Sequence, residues 1–420
     1  MVKVIIAGIG GYGRALIGLL LTNASRLGVE IVAAADTRLG SMTDKRDLKA
    51  EQGLKKAGVR LYTDALEMFR DCRGRADAAY VITGIPSHES LGVAAMWAGY
   101  HLHLEKPPAA TIQEAESLLD ASRRSGRMVL VGFQWVHSLD VRGLKQRLLS
   151  GRLGRIKHIA CWAGWPRDRE YFTRGAWSGR LRSGGRWVMD GPVSNALAHD
   201  INSLLFLCGP SMDVWADPLA VRAELYAAWP IEAHDTAAVE IQTAQGPRAY
   251  FLASHCIEEQ EQYGPTYLVS AEHGSAVLGH KVGAQISYED GTSESFHEQK
   301  DEPRLEMLEN FIRAVAANDA SMLRCPLEQA RKMTLVANAA HESSLKIHRI
   351  GPEFTYTSSP DTLQQRIHVK GLDQLLQSAA AEGSLLSNLP DAPPWAVRTQ
   401  AFGLDGYVRF PQRFEGPAEA

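Results

Sequence analysis

The chain opens on an apolar run, Val2-Lys3-Val4-Ile5-Ile6-Ala7, that passes directly into Gly8-Ile9-Gly10-Gly11-Tyr12-Gly13. A buried strand followed at once by a Gly-x-Gly-x-x-Gly turn and a helical pattern leaves few folds open. Gly8 permits a tight turn, Gly10 lets backbone come close to a phosphate, and Gly13 lets helix and strand pack closely. The N–H groups at the start of the helix then face an anion. Asp36 closes the second predicted strand, about twenty residues on, where an acid accepts the ribose hydroxyls of a dinucleotide. Its carboxylate repels a 2′-phosphate, which favours NAD over NADP. The guanidinium of Arg38, two residues later, keeps NADP open. Ile9, Gly11, Tyr12 and Thr37 complete the expected cofactor contacts at this end.

From there the pattern alternates. Short apolar runs at 2–7, 30–35, 78–82, 101–104 and 128–131 read as buried parallel strands, with helical periodicity near 11–27, 43–57, 87–98 and 111–125. Parallel strands need crossovers, and helices on both faces make a doubly wound sheet. Residues 1–132 are therefore expected to form an α/β Rossmann domain. After Phe133, strand-like stretches follow one another at 219–227, 236–243, 248–254, 266–271, 274–280 and 284–289. Helical segments near 141–150, 195–208, 303–318 and 326–348 bracket them. Successive strands joined by tight turns imply an α+β domain with a large, mostly antiparallel open sheet over residues 133–350. From 351 to 420 the periodicity fades. Trp395, Phe402, Tyr407 and Phe410 are nevertheless too apolar for a free tail, so this C-terminal extension is expected to pack on the body.

Composition narrows the function classes. A formal net charge of −3 over 420 residues gives no electrostatic footprint for nucleic acid or for an anionic membrane. No apolar run reaches the roughly 18–20 residues that span a bilayer. The N-terminus enters a strand with no charged lead or cleavage site. Cysteines 72, 161, 208, 256 and 325 are scattered and form no CxxC pair, which reads as cytoplasmic thiols rather than a disulfide framework or zinc ribbon. No HExxH or clustered carboxylate–His spacing supports a metal site.

Thr83-Gly84-Ile85-Pro86-Ser87-His88 follows the strand predicted at 78–82, and Glu105-Lys106-Pro107 follows the one at 101–104. Together with the glycine turn and the later Asp190…His199 segment, these motifs resemble the glucose–fructose oxidoreductase/inositol dehydrogenase (Gfo/Idh/MocA) family over residues 1–350. The resemblance implies a two-domain enzyme that oxidises or reduces a hydroxyl or carbonyl carbon of a sugar, sugar acid or cyclitol, in a cleft between its domains. Lys106 becomes the active-site lysine; Pro107 fixes the turn, and a cis Lys106–Pro107 bond would aim the ammonium at the substrate. Thr83, Pro86, His88, Glu105, Lys106 and Pro107 border the cofactor. A homodimer or homotetramer built through the C-terminal sheet is implied as well.

Asn195, His199 and Asn202 fall at i, i+4 and i+7 of a predicted helix, a polar stripe on an otherwise apolar face. A histidine serves well as a general base near neutral pH. Many family members carry aspartate where this chain has Asn195 and Asn202, and an amide cannot stabilise imidazolium as a carboxylate does. Asp190 is the nearest acid before the helix, although helical spacing does not place it beside the imidazole.

Between 133 and 187 aromatic residues crowd together: Trp135, Trp165, Tyr171 and Trp177 are the candidates for stacking on a sugar ring, with domain packing as the alternative. Arg174 lies among them, with Arg167, Arg169, Arg180, Arg182 and Arg186 close in sequence. This arginine group reads either as a clamp for a carboxylate or phosphate or as a solvated loop. His234 and His255 are further candidates at predicted strand ends. The same frame would also serve a glycoside-cleaving enzyme that returns its NAD unchanged, or a non-catalytic dinucleotide-binding sensor.

Overall fold

The computed structural model describes residues 1–244, 246–298 and 302–416, and the chain divides into two compact units. The first comprises Met1–Ala109, Gln113–His137 and Glu302–Arg331; the remaining described residues make the second. Among the described residues no helix is long and apolar enough to cross a membrane.

In the first unit β1 (Val2–Ala7), β2 (Val29–Ala35), β3 (Arg60–Tyr62), β4 (Ala78–Val81), β5 (His101–Leu104) and β6 (Val129–Val131) pair in the order β3-β2-β1-β4-β5-β6. Every pairing is parallel. The chain starts in the middle of the sheet and winds outward both ways, so the strand order reverses beside β1, where such sheets bind ligands. Val4, Ile5, Ile6 and all of β4 are buried, as strands covered on both faces must be. Asp44 and Asp64 start the helices Lys45–Lys56 and Ala65–Asp71 by accepting the N–H of Arg46 and Leu66, each at 2.7 Å. Strand β3 and the helix Ala65–Asp71 are absent from the sequence reading. β3 buries only Tyr62 fully, too little to show a period.

The helix Pro303–Ala317 belongs to this unit, although the sequence reading puts it in the second domain. Met307, Leu308, Phe311 and Ile312 bury in the same core as Val4, Tyr80 and Leu130. Phe311 sets its edge against Tyr80 at 5.5 Å and against His103 at 5.6 Å. His103 also stacks on Tyr80 at 4.7 Å, and neither of its ring nitrogens has a hydrogen-bond partner.

The second unit is built on a ten-stranded sheet. Its middle strand, β7 (Ile156–Gly164), pairs parallel with the strand Arg248–Ser254 and antiparallel with the strand Tyr263–Ala271. A short hairpin, β8 (Arg182–Ser183) and β9 (Arg186–Trp187), lies outside the sheet. The other strands are β10 (Pro218–Ala227), β11 (Thr236–Thr243), β12 (Arg248–Ser254), β13 (Tyr263–Ala271), β14 (Gly274–Gly279), β15 (Gly283–Tyr288), β16 (Ser293–Phe296) and β17 (His348–Arg349), in the order β16-β15-β14-β13-β7-β12-β11-β10-β17. In the extension, β18 (Thr355–Ser358) and β19 (Arg366–Val369) form a second hairpin, and β20 (Phe402–Gly403) pairs with β10. The large sheet is mostly antiparallel, as expected. The sequence reading omits β7, whose Ala160, Cys161, Ala163 and Gly164 dilute the β-branched signature of a strand.

Alternation along β7 sends its side chains to opposite faces. On one face Tyr267 donates a hydrogen bond to Asp200 of the helix Ala198–Cys208 at 2.6 Å. On the other, Ala160, Tyr226, Ala238, Tyr250 and Leu252 meet Leu372, Leu376, Ala379 and Trp395 of the C-terminal extension. The extension is thus one wall of the core, as its aromatic content implies. A buried carboxylate holds its far end: Glu342 accepts from the Tyr407 hydroxyl at 2.8 Å and from the N–H groups of Gln412, Arg413 and Phe414 at 2.6, 2.6 and 2.8 Å.

Burial pushes the pKa of His103 from 6.5 down to about 3. It is therefore neutral in the fold and takes up a proton when unfolding exposes it at intermediate pH. The unfolded state then binds more protons, so stability falls as pH drops from 6.5 toward 3. Melting temperature is expected to decline on acidification, and His103→Leu to make that decline shallower. An unchanged slope in the variant would remove His103 from the cause.

Candidate active site

The glycine turn meets its strand and helix as the motif requires. Gly8 holds φ at 101°, and a Cβ there would lie 2.2 Å from the Ile82 carbonyl oxygen. A Cβ on Gly13 would lie 2.3 Å from the Gly8 oxygen, so both positions exclude a side chain. Three N–H groups of the turn face carboxylate oxygens. Ile9 and Gly10 donate to Asp36 Oδ2 at 3.0 and 3.1 Å, and Gly11 donates to Asp47 Oδ1 at 3.0 Å. Arg14 pairs with the same Asp47, and the Arg38 guanidinium lies against Gly10, where a Cβ would fall 2.0 Å from its Nη2. Burial alone would raise the Asp36 carboxyl. The N–H groups of Arg38, Gly10 and Ile9, with the Arg38 guanidinium, outweigh it and hold the pKa below the usual value.

Backbone donors, two arginines and an acid at the end of β2 fit a dinucleotide, with Asp36 available to ribose hydroxyls. Asp47 escaped the sequence reading. It lies in the first turn of the next helix, and only the fold returns it to the glycine turn. Thr37 is exposed beside Arg38, and Tyr12 donates its hydroxyl hydrogen to Gln134 at 2.9 Å.

A second group gathers at the carboxyl ends of β4 and β5. Glu105 is buried and accepts the Lys106 N–H at 3.0 Å, and burial pushes its carboxyl up to about 7 against the pull of Lys106. The Lys106–Pro107 peptide bond is cis. His88 fastens this turn to the one before it: Nδ1 lies 2.9 Å from the Pro107 oxygen and Nε2 lies 3.0 Å from the Thr83 oxygen. Two carbonyls flank one imidazole, and only the protonated ring donates to both. Burial opposes that protonation and lowers the pKa. Such a histidine fixes the position of the loop. Pro86 lies between these contacts, in the short helical turn Ile85–Ser87.

In the second unit a widened π-helical turn, Pro192–Ala196, leads into the helix Ala198–Cys208. It brings Asn195 back onto Asp190: Asn195 Nδ2 donates to Asp190 Oδ1 at 2.8 Å, and the Gly179 N–H donates to Oδ2 at 2.8 Å. The acid sought near His199 is therefore held by the amide at 195. His199 is half-buried in the first helical turn, and Asn202 is fully buried with no hydrogen-bond partner for its amide. His234 accepts the Val193 N–H at 3.2 Å and so supports this turn from below.

The aromatic and arginine candidates divide. Trp135 lies in the first unit, in the turn Gln134–His137, whereas Trp165, Tyr171 and Trp177 lie in the second. Arg180 pairs with Glu232 at 2.8 Å and Arg169 hydrogen-bonds Gln365. Arg167 and Arg174 instead both stack over the Tyr171 ring, at 4.4 and 3.4 Å.

A doubly wound parallel sheet, with a glycine turn and an acid at its switch point, defines a dinucleotide-binding protein of the Rossmann class. The model of an oxidoreductase family with an NAD-binding Rossmann fold matches residues 2–133, and that of the GFO/IDH/MocA C-terminal domain matches residues 141–277. Together they span more than half of the chain, which belongs to the Gfo/Idh/MocA family.

An inositol 2-dehydrogenase of Azotobacter vinelandii is 31% identical over 36% of this chain and 40% of its own length. A D-glucoside 3-dehydrogenase of Escherichia coli is 28% identical over 31% of this chain and 35% of its own. The chain thus spans less than half the length of these curated relatives. The WlbA dehydrogenase of Bordetella pertussis, solved with NADH and UDP-GlcNAcA, superposes with a TM-score of 0.65 at 20% identity, covering 82% of this chain and 96% of that one. A levoglucosan dehydrogenase solved with NADH and levoglucosan gives 0.68 at 17% identity over 82% and 97%. At such identities the likeness establishes the fold.

Asp36→Ala is expected to weaken NAD binding about tenfold while weakening NADP less, which narrows the preference between them. Titration of both dinucleotides measures this. Unchanged NAD affinity would take Asp36 out of the site.

Proposed function

We propose that the protein is an NAD(P)-dependent dehydrogenase acting on a CH–OH carbon of a sugar, sugar acid or cyclitol. The observation that carries this reading is Lys106 at the carboxyl end of β5, with its backbone held on the buried Glu105 and its loop fastened by His88. The relatives' names, inositol and D-glucoside dehydrogenases, support the substrate class. When bound, the nicotinamide dinucleotide supplies acceptance or donation of hydride. Oxidation of a carbinol also releases the proton of its O–H, and that proton is what this chain must handle. Lys106 donates a hydrogen bond to the reacting oxygen, and His199 takes the proton as general base. Trp165, Tyr171 and Trp177 are the candidates for substrate contact in the second unit, Trp135 is a further candidate from the first, and Asn195 and Asn202 are candidates for its hydroxyls. NAD is the expected cofactor, with NADP possible through Arg38. The cytoplasm is the expected compartment, in keeping with five unpaired, buried cysteines.

Lys106→Ala should abolish reduction of the nicotinamide by a panel of sugars, sugar acids and cyclitols while leaving dinucleotide affinity near that of the parent. Equal loss of both would make Lys106 a cofactor anchor. Tightly held NAD with no net reduction by any of them would favour glycoside cleavage or sensing.

For self-association, a homodimer or homotetramer through the second-unit sheet rests on the family resemblance alone. Leu376 and its neighbours in the extension already cover the apolar face over β7 and β10–β12. The outward positions left on β13–β15 include Thr266, Ser270, Ser275, Gln285 and Ser287, a largely polar surface. Light scattering at working concentration decides the matter: a monomer ends the proposal.

A further inference from the structure

The segment that leaves β7 carries a polar cluster that neither the glycine turn nor the Lys106 loop uses. Arg167 stacks over Tyr171 at 4.4 Å and over Trp165 at 5.4 Å, while Arg174 stacks over Tyr171 at 3.4 Å and over Trp177 at 4.5 Å. The buried ring of His255 lies 5.8 Å from the same Tyr171 ring. Two cations are therefore drawn to one phenol, an arrangement that their mutual repulsion opposes. Asp190 offsets part of the charge, 3.9 Å from Arg174, but its oxygens already accept from Gly179 and Asn195. Arg167 makes no ion pair with any described residue, and its buried Nε–H and the Trp165 Nε1–H have no hydrogen-bond partner.

His255 completes the set. Its Nδ1 lies 2.9 Å from the Trp165 carbonyl, which can only accept, so Nδ1 carries the proton. Nε2, also buried and without a partner, then offers a lone pair. Burial, reinforced by Arg167, keeps the ring neutral by lowering its pKa to about 3. Buried polar groups are nearly always hydrogen-bonded, so three partnerless ones around one ring mark the complement of a ligand. The complement of two guanidiniums and an indole N–H is an oxyanion, and that of a bare imidazole nitrogen is a hydroxyl hydrogen.

We infer that the cluster around Tyr171 binds the anionic end of a hydroxylated, sugar-like substrate, with Arg167 and Arg174 on its carboxylate or phosphate and His255 on a neighbouring hydroxyl. This narrows the substrate class of the dehydrogenase reading and rests on it for the reaction, not for the binding.

The test uses the full-length protein loaded with NAD. Tryptophan fluorescence is titrated with D-glucuronate and D-galacturonate, with glucose 6-phosphate, and with neutral D-glucose and D-galactose. An acidic sugar is expected to bind at least about tenfold more tightly than its neutral counterpart. Arg167→Met should remove that preference and Arg167→Lys should restore part of it. Arg174→Met should weaken the preference and serves alone if Arg167→Met fails to melt cooperatively. Tighter binding of the uronates than of the phosphate would assign a carboxylate, and the reverse a phosphoryl group. Equal affinity for acidic and neutral sugars, no binding of any acid, or a preference that survives in the folded methionine variants would overturn the clamp. Nicotinamide absorbance in the same samples separates the two readings. Arginine-dependent binding of an acid without reduction keeps the clamp and counts against the dehydrogenase; reduction by neutral sugars without acid preference does the reverse.

Discussion

A sheet is stable in water only when its apolar faces are covered, and both units meet this constraint with chain that arrives from far away in sequence. The parallel sheet of the first unit is covered locally by its crossover helices. The core that holds Tyr80 and His103 is closed by Phe311, more than two hundred residues later. The ten-stranded sheet is covered on one face by the helix that carries His199 and on the other by the extension around Leu376. Helix packing sets the facing of His199 and Asn202, whereas Asn195 lies in the π-helical turn before the helix, so the three do not form one helical stripe. The extension closes the sheet behind the loop that carries Tyr171.

The buried polar groups sort into two kinds. Glu342 and Asp190 are saturated with donors, and Glu224 accepts from the hydroxyls of Tyr226 and Ser387. These are internal joints: each ties a segment of irregular backbone to the core, because a buried carboxylate without donors would titrate instead. The second kind has no hydrogen-bond partner among the described residues, and each such group costs about 1–3 kcal/mol. His103 lies deep in an aromatic cluster and is an expense of the fold alone. Trp165, Arg167 and His255 collect around one half-buried ring, and their shared location is what distinguishes a site from a scatter of defects.

Much of this organisation is legible in sequence where the physical signal is local. The glycine turn, the acid of β2 and the Glu-Lys-Pro turn follow from spacing, because a strand, a turn and a helix are neighbours along the chain. The paired strands from β10 to β15 follow from alternation. What stays hidden is non-local or weakly periodic. The central strand β7 mixes alanine, cysteine and glycine with tryptophan and so lacks a strand's usual composition. Asp47 reaches the glycine turn, and Phe311 its sheet, only through tertiary folding. The split of the arginines was equally unreadable. Arg180 and Arg174 look alike in a loop, and only the positions of Glu232 and Tyr171 separate an exposed ion pair from a stacked guanidinium.

The exchange of acid for amide at position 195 takes on a definite meaning in this geometry. A carboxylate only accepts, so the contact with Asp190 fixes which end of the Asn195 amide points at it: Nδ2 donates, and Oδ1 is turned the other way. The position thus presents an oriented but uncharged acceptor, while the negative charge sits one group further back, beside Arg174. An acid at 195 would offset a proton on His199 more directly. An acid at 190 instead offsets part of the charge of the arginines and leaves the cluster around Tyr171 with one guanidinium, that of Arg167, without an ion pair among the described residues. A carboxylate at 190 rather than 195 therefore bears on two places at once: it stands one group further from His199, and it leaves part of the positive charge of the loop unneutralised.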